Sequence, residues 1–134
     1  MLDPNVLVSA ALSAKGSPAE LVRRWLDGRF ELVASEALLE ELRRVLAYPK
    51  IQARVPAEDA ESLLDLIGAE ASLGADPSQT PPVRPDDPDD VYLVALAVAE
   101  GAALVSGDRH LLDLAGELPI YSPAEFLQRL DQQP

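Results

Sequence analysis

The stretch "DDPDDVYLVALAVAEGAALVSGD", residues 86–108, constrains the fold more than any other part of the chain. From Asp89 or Asp90 to Glu100 the pattern is helical and apolar nearly all round. A helix carries that pattern only when protein covers it on more than one side. The run "AALVS" that follows is short and apolar on both faces, which reads as a buried strand. A sandwiched helix feeding a buried strand requires layers of helix on sheet.

The remainder of the chain repeats the alternation. Residues 1–3 read as the end of a short strand, and "NVLVSAAL" turns helical. In "GSPAELVRRWLDG" Ser17 is placed as an N-cap, Pro18 at the first helical position and Glu20 where a capping box needs it. "FELVAS" reads as a strand. Ser35 then caps "EALLEELRRVLAY", whose Leu38, Leu39, Leu42, Val45 and Leu46 form one stripe. Residues 51–54 carry no clear pattern. "PAEDAESLLDLIGAEA" reads as a helix and "SLGA" as a strand. Residues 75–88 hold five of the twelve prolines and read as a loop. "RHLLDLA" is a short helix, "PIY" a strand, and Ser122, Pro123 and Glu125 start a last helix. Strands alternating with helices predict one α/β domain over residues 1–134 with a mostly parallel sheet.

Composition excludes several chemistries. With no cysteine there is no disulfide, thiolate metal site or cysteine nucleophile. That suits a cytoplasmic location. No apolar run reaches the ~20 residues of a membrane span, and "MLDPNVLVSA" lacks the basic start of a secretory signal. The net charge of −12 argues against a broadly basic nucleic-acid surface. Yet residues 1–54 hold eight of the eleven Lys and Arg, against seven acids.

The acids are placed for chemistry. Functional groups of an open parallel sheet gather beyond the carboxyl ends of its strands. Asp3 ends the first strand, and Asp108 stands just past "AALVS". Asp90 opens the sandwiched helix on the face of Val94 and Ala97. Glu41 falls at the edge of the leucine stripe. Taken singly, each has a plainer role: helix caps for Asp3 and Asp90, a turn for Asp108, a surface charge for Glu41. Together they make a self-repelling group. An all-oxygen set that a cation must neutralise suits Mg²⁺ or Mn²⁺, and Mg²⁺ at few carboxylates points to chemistry on a phosphate ester.

Four segments in order, "LDPNVLVSA", "LLEELRRVL", "DPDDVYLVALAVAEGA" and "LVSGDRHLL", resemble the PIN domain, in the branch of VapC-like toxins of toxin–antitoxin pairs. The resemblance implies a three-layer α/β/α fold and a Mg²⁺- or Mn²⁺-dependent ribonuclease with four acidic positions. These fall on Asp3, Glu41, Asp90 and Asp108, as catalytic residues and metal ligands. Asn5, in an Asp-x-Asn pattern, and Ser106 support the carboxylates. Asp87 or Asp89 are alternatives to Asp90, and Asp87 a further ligand. Arg43, Arg44 and Arg109 are candidates for the RNA backbone. An antitoxin protein and a second copy of the chain are the implied partners, with Trp25 a candidate for the dimer face and otherwise a core residue. The chain departs from the family pattern at Pro4 and Ser106, where threonine is commoner. The rival readings are an aspartyl-phosphate phosphatase or receiver-like domain, and a non-catalytic acidic interaction module. Asn5 stands where such a phosphatase needs a second aspartate.

Overall fold

The computed structural model describes residues 1–78, 81, 85 and 87–132. The interior of the proline-rich loop therefore lies largely outside the described residues.

Helix α1, Pro4–Leu12, starts immediately after Asp3. Helix α2, Ser17–Leu26, packs against α1. Strand β1, Val33–Ala34, leads into α3, Glu36–Leu46. The short α4, Pro49–Gln52, and the longer α5, Ala57–Glu70, lead to β2, Ser72–Leu73. A single 3₁₀ turn, Pro88–Asp90, opens α6, Val91–Glu100. Strand β3, Leu104–Val105, is followed by α7, Arg109–Leu112. Strand β4, Ile120–Tyr121, and α8, Pro123–Gln132, complete the described chain.

Every strand pairing among the described residues is parallel. β1 pairs with β2, Val33 opposite Ser72. β3 pairs with β4, Leu104 opposite Ile120, and its other edge takes Leu2, opposite Val105. The Asp3 N–H donates to the Val105 carbonyl at 2.9 Å, and the Val105 N–H to that of Met1 at 2.9 Å. The short N-terminal segment is thereby fixed beside β3, and Asp3 and Ser106 leave the sheet at the same end. β3 has neighbours on both edges and buried side chains, which is why "AALVS" is apolar throughout.

Local chemistry sets the helix ends. The Ser35 hydroxyl accepts from the Leu38 N–H, and Asp76 from that of Ala37, so two oxygens cap α3. Leu38, Leu42 and Leu46 of its stripe are buried. α6 buries Leu93 through Ala97 but leaves Val98 40% exposed, so its last turn emerges from the sandwich. It ends in a Schellman motif: Ala102 N–H reaches the Ala97 carbonyl and Gly101 N–H that of Val98, with Gly101 at φ 60°. The capping box expected at Ser122 and Glu125 forms, each backbone N–H donating to the other's side chain.

The one expected at Ser17 does not form. Gly16 is the cap, at φ 101°, and Ser17 is already inside the helix. Glu20 bonds instead to Arg23 and Arg24. The patternless residues 51–54 overlap α4, which Pro49 starts. Trp25 is buried in the core, which removes it as a dimer contact. No helix among the described residues is long and apolar enough to cross a membrane.

Candidate metal centre

Two of the four acids are fixed by the ends of neighbouring strands. Asp3 is buried, and its Oδ1 accepts from the Asn5 backbone N–H at 2.9 Å, capping α1. Its Oδ2 accepts from the fully buried Ser106 hydroxyl at 2.7 Å. Ser106 in turn accepts from the Asp108 N–H at 3.0 Å. A continuous relay thus joins the end of β3 to the N-terminal segment: Asp108 N–H to Ser106, Ser106 to Asp3. Asp108 Oδ1 accepts from the His110 N–H and caps α7. The plain capping roles of Asp3 and Asp108 are real.

Asp90 is different. It precedes α6 without capping it: its side chain makes no cap bond. The capping in this turn falls to Asp87, whose Oδ1 accepts from the Asp89 N–H at 3.0 Å. Asp90 Oδ2 is buried without a hydrogen-bond partner. Burial, and then the charges of Asp3, Asp108, Asp87 and Asp89, push its carboxyl up to about 6. Burial likewise raises the Asp3 carboxyl, opposed by the bonds from Asn5 and Ser106 and reinforced by Asp108 and Glu41. Asp3 and Asp90 therefore both feel the charge of Asp108, and Asp3 that of Glu41 as well.

Glu41 comes from α3, which packs against α1. Its carboxylate is paired with Arg44, one turn along the same helix. Asn5 reaches Asp3 through its backbone N–H, while its exposed side chain faces a cleft shared with Ser9, Gly107 and Asp108. A second polar cleft, lined by Glu41, Arg44, Asp89 and Tyr92, lies on the α3 side. Arg43 and Arg109 are exposed. The more enclosed cleft, lined by Val94, Ala97, Val98, Leu104 and Ile120, sits at the opposite ends of β3 and β4. Its lining residues carry no ionisable side chain, so the polar clefts beside the acids are the relevant ones.

Tyr92 was not singled out by the sequence. Its ring packs against the core, and its hydroxyl is buried without a partner. Burial, then Glu41, Asp3 and Asp90, raise the phenol above its ordinary value. The available signal was a lone hydroxyl in the apolar run "VYLVALAVA", two residues after Asp90.

The donor chemistry fits a hard divalent cation: the four acids offer only oxygen, and one buried carboxylate oxygen has nothing to neutralise it. As placed, no three acidic or imidazole side chains among the described residues converge to hold an ion. The hydrogen bonds on Asp3 and Asp108, and Arg44 on Glu41, hold these carboxylates to other partners.

An α/β domain with parallel strands and acids at adjoining strand ends defines the class. A family model described as the PIN domain matches residues 1–110, and the chain belongs to that family. The matched span includes all four acids. PIN domains are generally nucleases and generally use divalent metals. None of the curated proteins matches the chain.

Proposed function

We propose that this protein is a Mg²⁺- or Mn²⁺-dependent ribonuclease that hydrolyses RNA phosphodiester bonds. The observation that carries the reading is Asp90: a partly buried carboxylate that makes no cap bond, with one buried oxygen lacking any partner, and feeling the charge of Asp3 and Asp108. A structural role leaves that arrangement unexplained, because an unpaired buried charge is costly.

Asp3, Asp90 and Asp108 would hold the cation, with Glu41 direct or through water. When bound, it supplies a positive centre that polarises the phosphate and lowers the pKa of a water. The chain's own residues do the rest. Ser106 fixes the rotamer of Asp3 and, through the Asp108 N–H, the spacing of two acids. A carboxylate of the cluster accepts the proton of the attacking water. Asp87 shapes the turn that presents Asp90. The clefts on either side of the acids give a single strand a path across them. Arg43, Arg44 and Arg109 supply the cationic contacts to its backbone.

The aspartyl-phosphate alternative fits less well. Both oxygens of buried Asp3 are already engaged, which ill suits a nucleophile. The finer reading is a toxin acting in the cytoplasm, partnered by an antitoxin and forming a homodimer. It rests on the resemblance to VapC-like toxins; co-expression with any short reading frame beside the gene, followed by co-purification and mass determination, tests it. The test of the activity is cleavage of end-labelled RNA by wild type and Asp90→Asn, with Mn²⁺ and with chelator. Cleavage is expected only from wild type with metal; equal cleavage by both proteins refutes the reading.

A further inference from the structure

Among the described residues two buried side-chain polar atoms lack partners, Asp90 Oδ2 and the Tyr92 hydroxyl. The first is accounted for by a cation. The second is a donor at neutral pH, since an ordinary phenol titrates near ~10, and leaving it unbonded is unfavourable. What accepts from it has to come from its surroundings. Tyr92 lines one cleft with Glu41, Arg44 and Asp89.

Glu41 is turned away in this conformation, paired with Arg44 at the surface. The Arg44 side chain is 59% exposed, and ion pairs of that kind are weak. A rotation about the Glu41 side-chain bonds releases it. We propose that Glu41 has two positions: an outward one on Arg44, as seen here, and an inward one in which it accepts from the Tyr92 hydroxyl. Tyr92 is then the positioning residue that holds Glu41 toward Asp3, Asp90 and Asp108. The inference rests on the metal-dependent reading above. It accounts for the unpartnered hydroxyl and for the exposed pairing of Glu41 with Arg44 together.

The test is Mn²⁺ titration of the full chain without RNA, followed by calorimetry or by the electron paramagnetic resonance of free Mn²⁺. Tyr92→Phe keeps the ring and removes the donor. It is expected to weaken Mn²⁺ binding about tenfold without lowering the melting temperature in chelator. In a Glu41→Gln background the same change is expected to have less than about a twofold effect. Arg44→Gln, which leaves Tyr92 in place, is expected to tighten Mn²⁺ binding, and that gain should also vanish with Glu41→Gln. Unchanged affinity in Tyr92→Phe overturns the proposal, as does an equal loss in both backgrounds. If Tyr92→Phe does not fold, the Arg44→Gln pair decides, and a gain that survives Glu41→Gln overturns it. A wild type that binds Mn²⁺ but cuts no RNA removes the nuclease reading and leaves this inference intact; one that binds no Mn²⁺ removes both.

Discussion

Replacing Asp90 with asparagine should make the metal-free protein more stable, although most substitutions at partly buried positions do the reverse. The Asp90 carboxyl is raised from 3.8 to about 6, chiefly by burial and then by neighbouring acids. The folded chain therefore holds this proton more tightly than the unfolded chain. Between those two pH values stability falls as pH rises, and above pH 6 the full penalty is present. A shift of that size at 1.36 kcal/mol per unit sets a ceiling of about 3 kcal/mol. Asp90 is only partly buried, so solvent screening reduces the expected value to about 1 kcal/mol. Asparagine keeps the shape, removes the charge and forfeits no cap bond, because Asp90 makes none. For a domain of this length the gain corresponds to a rise in Tm of about 3–6 °C. Thermal melts in chelator at pH 7 should show it, and the difference should close toward pH 4. Mn²⁺ should raise the Tm of wild type and leave the variant unmoved. An Asp90→Asn protein that melts lower than wild type in chelator at pH 7 would instead make the carboxylate a structural group.

Other outcomes follow from the same geometry. Ser106→Ala removes a buried donor to Asp3 and should cost about 1–3 kcal/mol in denaturant titrations, with Mn²⁺ affinity about tenfold weaker by calorimetry. Gly101→Ala places a side chain at φ 60° in the Schellman motif and should cost about 1 kcal/mol, read from the urea midpoint, with the Mn²⁺ response of wild type retained. Arg43→Ala with Arg44→Ala should weaken RNA binding and flatten the dependence of its logarithm on salt; an unchanged slope removes both from the RNA path.

The fold was legible wherever pattern and burial agree. The strand segments and the all-round apolar helix α6 follow from the requirement that β3 be covered on every side. Helix starts were legible where one side chain decides them, as at Ser35 and Ser122. The capping box at Ser17 does not form because the helix begins one residue earlier than the pattern suggests, with Gly16 as a cap that has no side chain. Of the acids, Asp3 and Asp108 were legible at one sheet edge, because strand ends in a parallel sheet meet there and the Leu2–Val105 pairing brings Asp3 beside Ser106. The distribution of duties among them was not. Capping by Asp3, Asp87 and Asp108, but not by Asp90, depends on backbone geometry at each turn. The Glu41–Arg44 pair is a local i,i+3 contact that the sequence offered, but the unpartnered Tyr92 hydroxyl depends on tertiary packing that no local pattern encodes.

Crystals grown with Mn²⁺ and examined at a wavelength that excites its anomalous signal give the most direct reading of the metal centre. A peak bounded by carboxylate oxygens of Asp3, Asp90 and Asp108 at about 2.0–2.3 Å is expected, with Glu41 swung off Arg44. Density elsewhere, or none under conditions where the same preparation cleaves RNA, would contradict it.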